Sequence, residues 1–166
     1  LDFNMRAVEF TLLNSIINNI SNIKVYRSNL FKNVKGKFDL IIANPWFVDL
    51  KKGGLEEAPG IIKNLDKYLN EDGTCLLILN SYVKKGNDTV LNYFLELLES
   101  KKYDVNLYTN GYGYETNRIK DYKKYKVDYY ISYNVEIIKN GTGTLKKFEA
   151  RYIRKIRDFT FINLIG

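Results

Sequence analysis

The sequence predicts an α/β domain built on a mostly parallel sheet that ends in an antiparallel hairpin. Stretches with helical apolar spacing alternate with short, nearly continuous apolar runs, the pattern of strands buried on both faces by flanking helices. Near the end a long alternating run meets an Asn-Gly-Thr-Gly turn signal, which points to antiparallel strands at one edge.

Each element has its own warrant. Met5 to Ile20 places Val8, Leu12, Ile16 and Ile20 at intervals of four, with Phe10, Leu13 and Ile17 beside them, so one apolar stripe runs along a helix. Asn4 suits the N-cap, and Asn19 lies where a left-handed residue is tolerated at the end. Ile23 to Arg27 reads as a short strand, and Phe38 to Ala43 as a stronger one buried on both faces. Leu55 to Asn70 reads as a helix with a break near Pro59-Gly60. Gly73 turns the chain into a strand over Thr74 to Val83. Asp88 or Thr89 caps a helix reaching about Lys101, with Val90, Tyr93, Phe94, Leu97 and Leu98 on its apolar side. Val105 to Thr109 is a strand and Gly111-Tyr112-Gly113 a loop. Val127 to Lys139 is a long strand, and Asn140 to Gly143 is a hairpin turn into another from Leu145.

Composition narrows the chemistry. The 166 residues fit one domain, 45% hydrophobic with 2 Pro, so a packed core is expected. No run approaches the roughly 20 apolar residues that cross a bilayer. With no His and one Cys, Cys75, a zinc site and a His-based triad are excluded in practice, and a cytoplasmic compartment without disulfides is expected. Chemistry must therefore rest on carboxylates, amides, phenols, amines or a cofactor.

In parallel sheets ligands sit beyond the carboxyl ends of the strands. Three segments stand there. Asn44-Pro45-Trp46-Phe47 follows Phe38–Ala43, Ser28-Asn29-Leu30-Phe31 follows Ile23–Arg27, and Asp2-Phe3-Asn4-Met5-Arg6-Ala7 opens the chain. Asn44-Pro45-Trp46-Phe47 resembles the Asn/Asp/Ser-Pro-Pro-aromatic motif of amino-methyltransferases. The opening segment, followed by Asn14 and Asn18, resembles the Asp-x-Asn-Pro-x-Ala segment after their second strand. Ser28 to Phe31 resembles the Gly-Asp-Leu-Phe after their third. Order and spacing over roughly residues 1 to 100 are similar to glutamine methyltransferases acting on release factors and to small-domain ribosomal RNA methyltransferases. The resemblance implies a Rossmann-like class I fold, S-adenosylmethionine as cofactor and methyl transfer to a nitrogen of a base, amide or amine.

The residues support those roles in their own chemistry. A carboxylate at a strand end accepts two hydrogen bonds from a ribose diol, so Asp2 is a candidate cofactor ligand; the same carboxylate also suits an N-cap for the helix at Met5. The amide oxygen of Asn44 and the carbonyl of Pro45 together accept both hydrogens of a planar amine, aiming its lone pair, while Phe47 stacks on the flat acceptor. The resemblance implies that Asn29 meets the adenine amine and that Asn44 borders the cofactor. Methyl transfer from a sulfonium needs little acid–base help, because the leaving group departs neutral. Positioning supplies up to about 7–11 kcal/mol of barrier reduction.

Three departures stand out. Trp46 replaces the second Pro, Asn29 replaces an Asp, and the first strand with its glycine-rich loop has no counterpart after Leu1. The expectation is one methyltransferase domain over 1–166 lacking that strand and loop, completed by further residues or another chain. A non-catalytic methyltransferase-like module that binds nucleic acid or a partner subunit is the alternative. Residues 118–158 carry twelve Lys or Arg against five Asp or Glu, equal to the whole net charge of +7. That stretch interleaves tyrosines with cations, the composition of a surface for RNA or DNA, although the same pattern suits a solvated strand edge. No membrane and no metal are expected.

Overall fold

The computed structural model describes residues 1–45, 58–99, 101–113 and 123–149. The elements are α1 (Met5–Ile17), β1 (Phe38–Ala43), α2 (Ala58–Tyr68), β2 (Leu69–Lys84), β3 (Asn87–Asp88), α3 (Thr89–Glu99), β4 (Asp104–Gly113), β5 (Tyr129–Ile138) and β6 (Leu145–Glu149). They form a mixed sheet in the order β1-β2-β5-β4-β6, with β3 folded back on β2. β1 pairs with β2 in parallel, and β4 with β6 likewise; β5 runs antiparallel to both of its neighbours.

The core lies on one face of this sheet, under α2 and α3. Odd-numbered residues of β2, β4 and β5 point into it: Cys75, Leu79, Leu107, Val135 and Ile137 are at most 1% exposed. Ile62 and Leu65 of α2 and Phe94 of α3 close it from above, each fully buried. Each such side chain stabilises the fold by roughly 1.5–3 kcal/mol. Asp88 begins α3 as expected, accepting from the Leu91 N–H at 3.1 Å. Just past β5, the buried Lys139 amine donates to the carbonyls of Asp66 and Leu69 and to Glu71, pinning the α2–β2 junction to the sheet.

Several sequence expectations need correction. The apolar stripe of α1 is not buried: Phe10, Leu13, Ile16 and Ile17 are 49–71% exposed, and of its apolar residues only Val8 is covered. β1 has the expected bounds, but it is an edge strand among the described residues, and Ile42 is 73% exposed. Ile23–Arg27 is reduced to a single parallel bridge between Arg27 and Asp2, because no other described strand lies alongside to share its hydrogen bonds. Pro59 and Gly60 do not break α2; they sit in its first turn, where a missing N–H costs nothing. Gly73 and Gly111 lie inside strands, at irregularities in the pairing of β2 with β1 and of β4 with β5.

The antiparallel ending is present, but it comes from β4 and β5. Asn140–Gly143 is not a hairpin turn, because the chain crosses over and lays β6 parallel to the far edge of β4. Asp104 fixes this crossover by accepting from the N–H groups of Thr142 and Thr144 at 2.7 and 2.9 Å. Among the described residues no helix is long and apolar enough to cross a membrane.

Candidate functional site

Asp2 is placed by its backbone. Its N–H donates to the Tyr26 carbonyl at 3.3 Å and its carbonyl accepts from the Ser28 N–H at 2.9 Å, which is the parallel bridge. Arg27 reinforces it, donating from Nε to the Phe3 carbonyl at 3.1 Å with its guanidinium over the Phe3 ring. The carboxylate accepts through Oδ1 from the Asn4 N–H at 2.7 Å. Asn4 in turn caps α1 by accepting from the Arg6 N–H at 3.0 Å. Asn4 is therefore the cap, and Oδ2 of the exposed Asp2 has no hydrogen-bond partner among the described residues.

Asn29 rides on a loop built by its neighbours. Ser28 is buried, donating from Oγ to the Leu30 carbonyl at 2.7 Å and accepting from the Asn33 N–H at 3.2 Å. Asn33 returns a bond from its amide to the Arg27 carbonyl at 2.9 Å. The tight turn drives Leu30 to a φ of 48°, and Phe31 anchors the far side by stacking on Tyr68 of α2 at 4.6 Å. The Asn29 side chain is left exposed at the top of this turn. Ser28 enters the sequence reading only as part of the Ser28–Phe31 segment and Asn33 not at all; the signal that reveals their turn-building role is the tendency of Ser and Asn to hydrogen-bond nearby backbone.

Asn44 and Pro45 leave the carboxyl end of β1, where Ala43 lies opposite Leu77 of β2. Pro45 is buried and Asn44 is exposed. Trp46 and Phe47 lie outside the described residues. Asp2, Asn29, Asn44 and Pro45, drawn from three separate segments, all line one cavity of about 540 Å³. Leu40 and Ile42 line it along the edge of β1 that no described strand pairs, and Asp2 and Ser28 line it from the two segments joined by the bridge. Among the described residues Asp2 contributes the one charged side chain of that lining.

β1 places Asn44 and Pro45 at its carboxyl end, the region where α/β domains bind ligands, and the separate Asp2–Arg27 bridge brings Asp2 and Asn29 to the same cavity. A family model described as methyltransferase small domain matches residues 1–106. The chain belongs to that family, and its fold is that of the class I, S-adenosylmethionine-dependent methyltransferases. Over 82 residues it is 33% identical to ribosomal RNA small subunit methyltransferase C of Salmonella arizonae, a match spanning 49% of this chain and 24% of that protein. The chain thus spans about a quarter of the length of the curated relatives it matches. Its backbone is similar to a methyltransferase from Pyrococcus furiosus, with a TM-score of 0.54 at 18% identity over 83% of this chain and 59% of the other. It is similar also to the O-methyltransferase of a trans-AT PKS multienzyme from Brevibacillus brevis, solved with S-adenosyl-L-homocysteine, with a TM-score of 0.50 at 14% identity over 84% and 57% of the two chains.

Proposed function

We propose that this chain carries the acceptor-binding half and part of the cofactor site of an S-adenosylmethionine-dependent N-methyltransferase acting on RNA. The observation that supports it most is the convergence of Asp2, Asn29, Asn44 and Pro45 on one cavity beside the carboxyl end of β1.

The residues present fit part of the cofactor. The free Oδ2 of Asp2 suits a ribose hydroxyl, and the Asn29 amide oxygen suits the adenine amine. The methionine carboxylate and ammonium would need charged partners beyond the described residues of this lining, whose one acidic group, Asp2, suits only a cation or a hydroxyl. A further strand and glycine-rich loop, on the same polypeptide or another, complete this reading. When bound, the cofactor supplies an electrophilic methyl group on a sulfonium. Asn44 and the Pro45 carbonyl accept the two N–H bonds of the acceptor amine, holding its lone pair toward that methyl group. Burial of Pro45 fixes the backbone that aims the carbonyl. Phe47, two residues on, supplies a ring for the flat acceptor. Nitrogen is favoured over oxygen because two adjacent acceptor atoms match an NH₂ group.

RNA as the substrate draws on the name of the Salmonella relative and on the basic 118–158 stretch. A cytoplasmic site of action accords with that class and with Cys75, a free buried thiol.

Calorimetric titration with S-adenosylhomocysteine, with the intact mass recorded on the same sample, tests the cofactor site. Binding that Asp2→Ala weakens about tenfold or more supports it. Transfer of labelled methyl to ribosomal RNA that Asn44→Ala abolishes supports the enzyme reading. Cofactor binding with no transfer to any acceptor, unchanged by Asn44→Ala, would instead establish the non-catalytic module, the reading that Trp46 and Asn29 favour.

A further inference from the structure

The turn that carries Asn29 belongs to no strand among the described residues, yet it holds a demanding shape. Two successive turns build it. The Lys32 N–H donates to the Asn29 carbonyl at 3.1 Å, and the Val34 N–H donates to the Phe31 carbonyl at 3.0 Å. Leu30, directly after Asn29, sits at a φ of 48°. A non-glycine residue holds that conformation only where its surroundings impose it.

The imposing contact comes from α2. Tyr68, its last residue, is 6% exposed. The Tyr68 ring stacks on Phe31 at 4.6 Å, with 9° between the ring planes. Its hydroxyl donates a long hydrogen bond, 3.3 Å, to the Phe31 carbonyl. That carbonyl therefore accepts twice, from Val34 within the turn and from Tyr68 outside it. A phenylalanine would supply the ring contact; the hydroxyl adds a directed bond to backbone two residues from Asn29. Tyr68 is itself a fixed point, because the buried Lys139 amine holds the carbonyls of Asp66 and Leu69 on either side of it. Contact thus runs from the sheet through the end of α2 to Phe31, which lines the cavity together with Asn29 and Leu30.

We infer that Tyr68 is a positioning residue for the cofactor: through Phe31 it sets the turn that presents the Asn29 amide to the adenine amine. The inference rests on the cofactor reading above and adds the group that holds Asn29 in place. An exposed amide on a turn free to move would lose, in ordering itself, much of what its hydrogen bond contributes; a turn held beforehand does not.

The test compares two ligands by calorimetry on the full chain, S-adenosylhomocysteine and its analogue with hydrogen in place of the adenine amine. The wild type prefers the first about fivefold, the worth of one neutral hydrogen bond, and Asn29→Ala removes that preference. Tyr68→Leu shrinks it to about twofold or less while the analogue binds as it does to the wild type. Tyr68→Phe, which keeps the stack, retains part of the preference. Both ligands are compared on the same variant, so a general loss of stability cancels from the ratio. Phe31→Leu removes the same stack from its other side should Tyr68→Leu fold poorly, and it lowers the preference likewise. A preference as large as the wild type's in Tyr68→Leu and Phe31→Leu, whether both ligands weaken equally or neither does, overturns the inference and leaves the Asn29 contact standing. A wild type that binds both ligands equally, or neither, overturns the Asn29 contact and this inference with it.

Discussion

The Tyr133 phenol donates to Asp88 across 2.5 Å, and through that carboxylate the middle of the sheet holds the start of α3. The same Asp88 accepts from Ser81, whose side chain is fully buried in β2. One carboxylate thus caps a helix and satisfies two hydroxyls with almost no access to water. Burial and the neighbouring Asp88 both push the Tyr133 phenol well above its ordinary range, so it stays a donor at any ordinary pH. Asp88→Ala removes a cap worth about 0.5–2 kcal/mol and strands hydroxyls at about 1–3 kcal/mol each, so urea unfolding should show a loss of about 3 kcal/mol. Tyr133→Phe should cost about 1 kcal/mol, since Asp88 keeps its other partners. Equal effects of the two would refute a central role for Asp88.

Asp66 predicts an acid limb. Burial alone would raise its carboxyl, but hydrogen bonds from Lys101 and Tyr103 and the charges of Lys101 and Lys139 outweigh it and hold the group below its usual value of 3.8. A carboxyl lowered by folding stabilises the protein above its unfolded value, and that stability is lost as pH falls through the folded one. Asp66→Asn should be less stable at neutral pH and show a flatter fall in melting temperature below about pH 4. Because the Asp66 side chain is 55% exposed, the difference should shrink in high salt.

Cys75 should be silent in the native state. It is fully buried in β2, and burial pushes its thiol up to about 12. A thiol-specific chromogenic reagent should therefore react at the rate of global opening and stoichiometrically in denaturant. Fast labelling of the folded chain would contradict the packing of β2.

Gly60 tests the link between α2 and the cofactor loop. A Cβ there would stand 2.6 Å from the Leu30 Cδ1 atom, the flexible tip of the residue after Asn29. Gly60→Ala gains up to about 1 kcal/mol in helix propensity, which offsets the displacement of that tip. The melting temperature should hardly move while S-adenosylhomocysteine affinity drops several-fold, measured by calorimetry. An unchanged affinity would show that Asn29 does not depend on the Leu30 turn.

Much of this is legible in the sequence. The bounds of β1 followed from one apolar run, the Asn4 cap and the Asp88 cap from side-chain chemistry, and the left-handed Asn19 from its place after α1, where φ is 54°. Asn44 was legible as a residue at the carboxyl end of β1, while Asp2 and Asn29 reach the same cavity through one isolated bridge rather than through the strand the sequence suggests. What escaped depends on distant partners. Nothing near Leu145 says that β4, not β5, will be its neighbour, and nothing within α1 says its stripe will lack a cover. Lys85 and Gly86, both at positive φ, make a two-residue turn between β2 and β3 that β-propensity alone does not suggest. Ser28, Asn33 and Gly60 act on the backbone or tip of another residue, so their own types carry little sign of the site.

α1 packs only sparsely on the other described elements, and residues before β1 are joined to the helical layer through a few links such as the Phe31–Tyr68 stack and the Leu30–Gly60 approach. Among the described residues the segment that carries Asp2 and Asn29 is therefore the more weakly held, and it should open locally at lower cost than the sheet. Its amides should exchange with solvent by local opening, long before those of β2 and β5. A ligand bridging the cavity would slow that exchange first, making the N-terminal amides the most sensitive reporters of occupancy in the whole chain.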